Sequence, residues 1–227
     1  MMKKKSPAMP NQIEYPYPVT NWDIYNFSDC FGSLYMFLEG MSAEKVDYYC
    51  RKQEKGDCYG CKHAACRKTG FSPARTHEVL YHTFETLSGT NSAITACGRD
   101  SKIRKAIRDT DDTIDFIFKY TGYGYEKHTG GFADKIAASI DAGVPVLARL
   151  KDGHFRVLIG HDGNLFLAVE KPENQPLAAG KLGSIYVITG KTERSCFLAD
   201  ALKRIKYVLE CNREEKIWEE YIESFRY

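Results

Sequence analysis

Three runs decide the fold class: Val144-Pro-Val-Leu-Ala-Arg-Leu150, His154-Phe-Arg-Val-Leu-Ile-Gly160 and Asn164-Leu-Phe-Leu-Ala-Val-Glu170. Each is short, apolar and rich in residues that favour strands. They are separated by Asp152-Gly153 and by His161-Asp162-Gly163-Asn164, sequences suited to tight hairpin connections. Ser184–Thr189 adds a further strand. Upstream the period is helical rather than alternating. Leu34, Phe37, Leu38 and Met41 mark a helix that opens at Cys30 and ends near Gly40. A second is expected from Ser42, carrying Val46, Tyr49 and Cys50, and a third from Ser72-Pro73 to Gly89, with Val79, Leu80, Phe84 and Leu87 inward. Ser101–Ile107, Asp112–Tyr120 and Phe132–Ala142 follow as helices, with Tyr120–Gly131 as a loop. Phe197–Leu209 and Ile217–Phe225 close the chain as amphipathic helices. Helices first and an antiparallel sheet afterwards make an α+β arrangement, an N-terminal helical part packed on a C-terminal sheet.

At 227 residues the chain is long enough for one sizeable core. Residues 1–20 are proline-rich and polar and read as a flexible arm. Residues 21–227 read as one domain: a helical part over 21–130 with a cysteine-rich insertion at 50–66, a sheet part over 131–194, and C-terminal helices over 195–227. A net charge of +2 gives no electrostatic footprint for nucleic acid or an acidic membrane. Lys3-Lys4-Lys5 is followed by Pro7, Pro10, Asn11 and Gln12 rather than an apolar segment, unlike a signal peptide. No stretch approaches the roughly 18 apolar residues of a membrane helix. A cytoplasmic protein is expected.

There are eight cysteines. Without an export signal, metal ligands or free thiols are expected rather than disulfides. Cys50, Cys58, Cys61 and Cys66 lie close together, with His63 among them. The Cys58-Tyr-Gly-Cys61 pair can place two sulfurs on one metal, and Cys66 or His63 with Cys50 would complete a tetrahedral structural zinc site. A redox disulfide at Cys58–Cys61, or unpaired thiols, are the alternatives. Cys30 is different. Ser28 and Asp29 favour a helix cap, and a thiol in a first turn feels the positive end of the helix dipole, which favours the thiolate. Burial in a core is the competing reading of Cys30.

Two motifs share an order with a known family. A helix opening Asp29-Cys30, then Gly143-Val-Pro-Val-Leu147 followed by His154-Phe-Arg-Val-Leu-Ile-Gly160 and a turn at Asp162-Gly163, resemble the papain-like cysteine peptidases. The resemblance is to the bacterial branch with the bacteriocin-processing peptidases and the butirosin-biosynthesis-protein-H-like proteins. It covers roughly residues 21–41 and 131–190. It implies a papain-like fold with Cys30 as nucleophile, His154 as base and Glu170 as the residue that orients the imidazole. Glu170-Lys171-Pro172 stands where the family carries Asp or Asn, a departure that leaves Glu170 open as an ordinary solvent-facing carboxylate. The family also places a Gln shortly before its Cys. This chain has none there, and Asn26 is the nearest amide for an oxyanion hole, or else a simple loop residue.

The chemistry expected is attack of a Cys30 thiolate on a carbonyl, with His154 moving the proton. The product class is that of a peptidase or amidase, or of an acyltransferase, acting on a peptide or a small amide or thioester. No cofactor is required for that chemistry. A catalytically inactive papain-like binding module with a structural zinc is the alternative, and a thiol-redox or metal-sensing protein built on Cys58 and Cys61 ranks after both.

Overall fold

Seven antiparallel strands form the sheet on which the chain is assembled. The computed structural model describes residues 9–17, 19, 26–41, 45–48, 72–89, 110–170 and 173–214. The strands are β1 (Asn11–Gln12), β4 (Tyr123–His128), β5 (Val146–Leu150), β6 (Phe155–Asp162), β7 (Leu165–Ala168), β8 (Gln175–Ala178) and β9 (Leu182–Lys191). Two more, β2 (Lys45–Tyr48) and β3 (Ser72–Arg75), make a separate ribbon. The helices are α1 (Phe27–Leu38), α2 (Thr76–Leu87), α3 (Asp111–Thr121), α4 (Phe132–Asp141) and α5 (Leu198–Glu214). The main sheet runs β4-β9-β5-β6-β7-β8, and β1 lies against β6 beyond the end of β5. The fold is mixed α+β.

Alternation along the central strands separates two cores, as strand geometry requires. Leu147, Phe155, Val157, Ile159, Leu167 and Tyr186 turn to one face. There they meet Phe27, Phe31 and Leu34 of α1, Phe84 of α2, Ile114, Ile117 and Phe118 of α3, and Ala201 of α5. Val146, Ala148, Leu158, Phe166, Ala168 and Ile185 turn to the other face and meet Ile136 and Ile140 of α4. The β6–β7 hairpin turns through two residues, Gly163 and Asn164, with Gly163 at φ +59°. A bulge follows: Gly160 pairs with Leu167, but Leu158 pairs with Ala168. The extra residue resets the register, so that Arg156 falls opposite Glu170.

Several elements differ from the sequence reading. Within the helix expected from Ser42, Lys45–Tyr48 form the strand β2, and Ser72-Pro73 opens β3 rather than a helix, which starts at Thr76. Tyr120–Gly131, expected as a loop, contains β4, paired with β9. Gly124 is why the stretch looked unlike a strand. A Cβ there would stand 2.5 Å from Thr189 Oγ1, so close packing of the bulged pair requires glycine. The segment read as a free arm is docked. Asn11 and Gln12 pair with His161 and Gly160, and Met9 and Val19 are buried. His161, within a sequence suited to a turn, is buried, with Nε2 2.9 Å from Asp141 Oδ1. The helices expected at Ser101–Ile107 and Ile217–Phe225 lie outside the described residues. No described helix is long and apolar enough to cross a membrane.

Arg204 fastens α5 to the rest. Its guanidinium donates to Ser88 O, to Asp112 Oδ2 at 2.6 Å and to Thr113 Oγ1 at 2.9 Å, and lies 4.9 Å from the centre of the Phe116 ring. Lysine has no planar fork to serve three acceptors and a ring at once. Arg204→Lys is therefore expected to lower the stability by about 1–2 kcal/mol, discounted because Asp112 is largely exposed. A lower urea midpoint with an unchanged slope is the readout.

Candidate functional site

The first turn of α1 starts two to three residues earlier than the Ser28-Asp29 cap expected from the sequence. Asn26 is the cap: its side-chain oxygen accepts from the Asp29 N–H at 2.8 Å, and Phe27, Ser28 and Asp29 are the first helical residues. Cys30 therefore sits a full turn inside the helix. Its own N–H donates to Asn26 O at 3.2 Å, the first backbone bond of the helix. The Asn26 amide expected at an oxyanion hole is thus engaged through its oxygen in starting α1, and the Cys30 N–H is engaged there as well. The Cys30 side chain has no exposed surface and belongs to the core between α1 and the sheet.

A stripe of α1 faces the N-terminal segment. Tyr15 shares a 2.9 Å hydrogen bond between its hydroxyl and Ser33 Oγ, and its ring stacks on Phe37 with centroids 5.4 Å apart. Burial, first of all, pushes the Tyr15 hydroxyl well above the ordinary tyrosine range. The Ser33 bond opposes the rise, and the neighbouring Cys30, Tyr17 and Asp29 add to it. Tyr15 packs against the core cluster that contains Cys30.

On the next stripe of α1 lies a buried hydrogen-bonded couple. His77 Nε2 is 2.9 Å from Asp29 Oδ1, and each residue is only 1% exposed. The carboxylate can only accept, so His77 donates to it from Nε2. Among the described residues its Nδ1 has no hydrogen-bond partner. His77, Leu80 and Phe84 fall at helical spacing, so His77 lies on the apolar face of α2, the signal the sequence offers for its burial. The helices meet closely here. A Cβ on Gly32 would stand 3.5 Å from the Tyr81 N.

His154 lies in the turn between β5 and β6, one residue before the first paired residue, Phe155. Its N–H donates to Asp152 Oδ1 at 2.9 Å, its Nδ1 is 3.7 Å from Asp152 Oδ2, and its side chain is 41% exposed. Glu170 is engaged elsewhere: Arg156 Nε donates to its Oε1 at 2.6 Å, with both side chains largely buried. That contact follows from the bulge, which sets the two residues opposite each other. Phe27, in the first turn of α1, has its ring 5.7 Å from that of Phe155. The helix start and the strand headed by His154 are thereby adjacent.

Cys50, Cys58, Cys61 and Cys66 lie outside the described residues, on the connection between β2 and β3. The pairing of Tyr48 with Ser72 brings the two ends of that connection together. Among the described residues no three His, Cys, Asp or Glu side chains are grouped to hold a metal. No family model, no curated protein and no solved structure matches the chain.

Proposed function

We propose that the chain is a cysteine-dependent hydrolase or acyltransferase of papain-like design, acting in the cytoplasm on a peptide or a small amide or thioester. Cys30 is the nucleophile and His154 the base. The thiolate adds to the carbonyl carbon, the tetrahedral adduct collapses to a thioester, and His154 returns the thiol proton to the departing amine or thiol. Water or an amine then releases the acyl group. The observation that carries this reading is the contact of Phe27 with Phe155, because it sets the start of the Cys30 helix beside the strand that His154 heads. In this reading Asn26 lends its amide NH2 to the oxyanion, since its oxygen is already spent on the cap.

The test is alkylation of the native protein with iodoacetamide across pH, with each modified cysteine mapped. Preferential labelling of Cys30 below about pH 7, lost in His154→Ala, is the expected outcome for a thiolate–imidazolium pair. A Cys30 that labels at low pH no faster than an ordinary thiol defeats the enzyme reading.

A second reading, an inactive papain-like binding module with a structural zinc on Cys50, Cys58, Cys61 and Cys66, is favoured by two observations. Glu170 is held by Arg156 rather than left to orient His154, and Arg156 and Leu158 turn away from α1. Elemental analysis tests its metal. About one zinc per chain, lost when Cys58 and Cys61 become serine, is expected; a metal-free wild type excludes the site.

A further inference from the structure

We infer that the segment from Met9 to Tyr17, continued by Val19, is a strap that closes over Cys30, and that the thiol becomes reachable when the strap lifts while α1 stays in place. The inference deepens the proposed role of Cys30 and takes its functional meaning from it.

The geometry of α1 puts Asn26, Cys30, Ser33 and Phe37 one above another, at intervals of three and four residues. Tyr15 lies along that stripe. It bonds Ser33, three residues on from Cys30, stacks on Phe37 and packs against the core cluster that holds Cys30. Tyr17 meets the same Phe37 ring edge-on, with centroids 6.1 Å apart. Met9 and Val19 are buried in the same core cluster as Cys30, with Ile13 and Tyr15 packed against it. The N-terminal segment thus contributes to the core in which Cys30 is buried.

The strap is lightly attached. Its pairing with β6 spans two residues, extended by one bond from the Ile13 N–H to Ile159 O at 2.8 Å. Pro10 and Pro16 carry no N–H and cannot lengthen the ladder. Pro10, Asn11, Gln12, Glu14 and Pro16 are all exposed, so the segment is held from one side only. The approach to β6 also depends on Gly160, where a Cβ would stand 3.1 Å from Asn11 O. α1, by contrast, is anchored independently of the strap. Phe27, Phe31 and Leu34 hold it to Phe118, Phe84 and Phe155. Short, solvent-edged elements open at lower free energy than the core they cover.

The test uses the full chain and iodoacetamide at about pH 9, where an ordinary thiol is largely ionised without help from a base. Tyr15→Ala removes the cover and Ile13→Pro removes the bond to Ile159. Each is expected to speed alkylation of Cys30 about tenfold or more, as local opening becomes easier, while Cys196 keeps its rate. A Cys30 as slow in either folded variant as in the parent overturns the inference, and so does an equal acceleration at Cys196, which reports general loosening. Hydrogen exchange of the unmodified protein tests the same point without any variant. The Ile13 N–H is expected to exchange faster than the Val169 N–H, bonded to Val157 O in the sheet. Equal protection would mean that the strap opens only on global unfolding, contrary to the inference. Rates at pH 9 read access alone, so the strap can fail while the low-pH profile of Cys30 upholds the nucleophile, and the reverse.

Discussion

Asp29→Ala is expected to destabilise the protein by about 3 kcal/mol, because it leaves a buried histidine without its acceptor. For a chain of this size that corresponds to a fall in melting temperature of roughly 6–12 °C. The reason lies in what is left behind. His77 is 1% exposed, and its Nε2 loses the 2.9 Å acceptor while its Nδ1 already lacks a partner among the described residues. Neither nitrogen can then recover the hydration lost on burial, a cost of about 1–3 kcal/mol per group. The alanine also removes a carboxylate from the first turn of α1, where it is worth about 0.3–1 kcal/mol against the helix dipole. Asp29→Asn keeps an oxygen that can accept from His77 and should cost much less, about 1 kcal/mol. Asp115→Ala on α3, whose side chain is 43% exposed and paired with Lys119, is the control, with an effect of about 0.5 kcal/mol or less. If thermal unfolding ranks Asn as badly as Ala, the couple is not what joins α1 to α2.

That couple was not legible in the sequence, and the reason is physical. Asp29 and His77 are 48 positions apart, and polar residues are expected at the surface unless something distant satisfies them. Periodicity locates an apolar face but does not name the polar residue that joins it. The same limit explains Cys30. Asn26, Ser28 and Asp29 all favour a helix cap, so the sequence allows three starting points one or two residues apart, and the choice of Asn26 moves Cys30 from the first turn into the second. The strands β5, β6 and β7 were readable because their apolar runs are punctuated by Asp152-Gly153 and by Gly163-Asn164. The bulge within β6 carries no such mark. It decides that Glu170 meets Arg156, and only the three-dimensional register reveals it. Local chemistry was therefore visible, while the pairings that determine what each site residue can do depend on register and on contacts between distant segments.

Phe31→Ala is expected to have the largest effect of any single substitution considered for this protein, about 4 kcal/mol, as for other buried phenylalanines truncated to alanine. Phe31 has no exposed surface. Its ring centre lies 4.8 Å from Phe118 of α3, 5.2 Å from Phe84 of α2 and 5.3 Å from Phe27 of its own helix. Two of these neighbours belong to other helices, so no single side-chain movement refills the space, and the cavity term adds to the lost transfer energy. Phe31→Leu retains most of the volume and should cost about 1–2 kcal/mol. The comparison also separates the core of α1 from its cover. Loss of Phe31 loosens α1, α2 and α3 together, so Phe31→Ala should raise the alkylation rates of Cys30 and Cys196 in parallel. Loss of Tyr15 is expected to raise that of Cys30 alone. Parallel acceleration in both variants would show that Cys30 is reached only through unfolding of the whole core. A selective response to Tyr15, beside a shared response to Phe31, is the pattern required of a thiol held in a rigid helix beneath a removable segment.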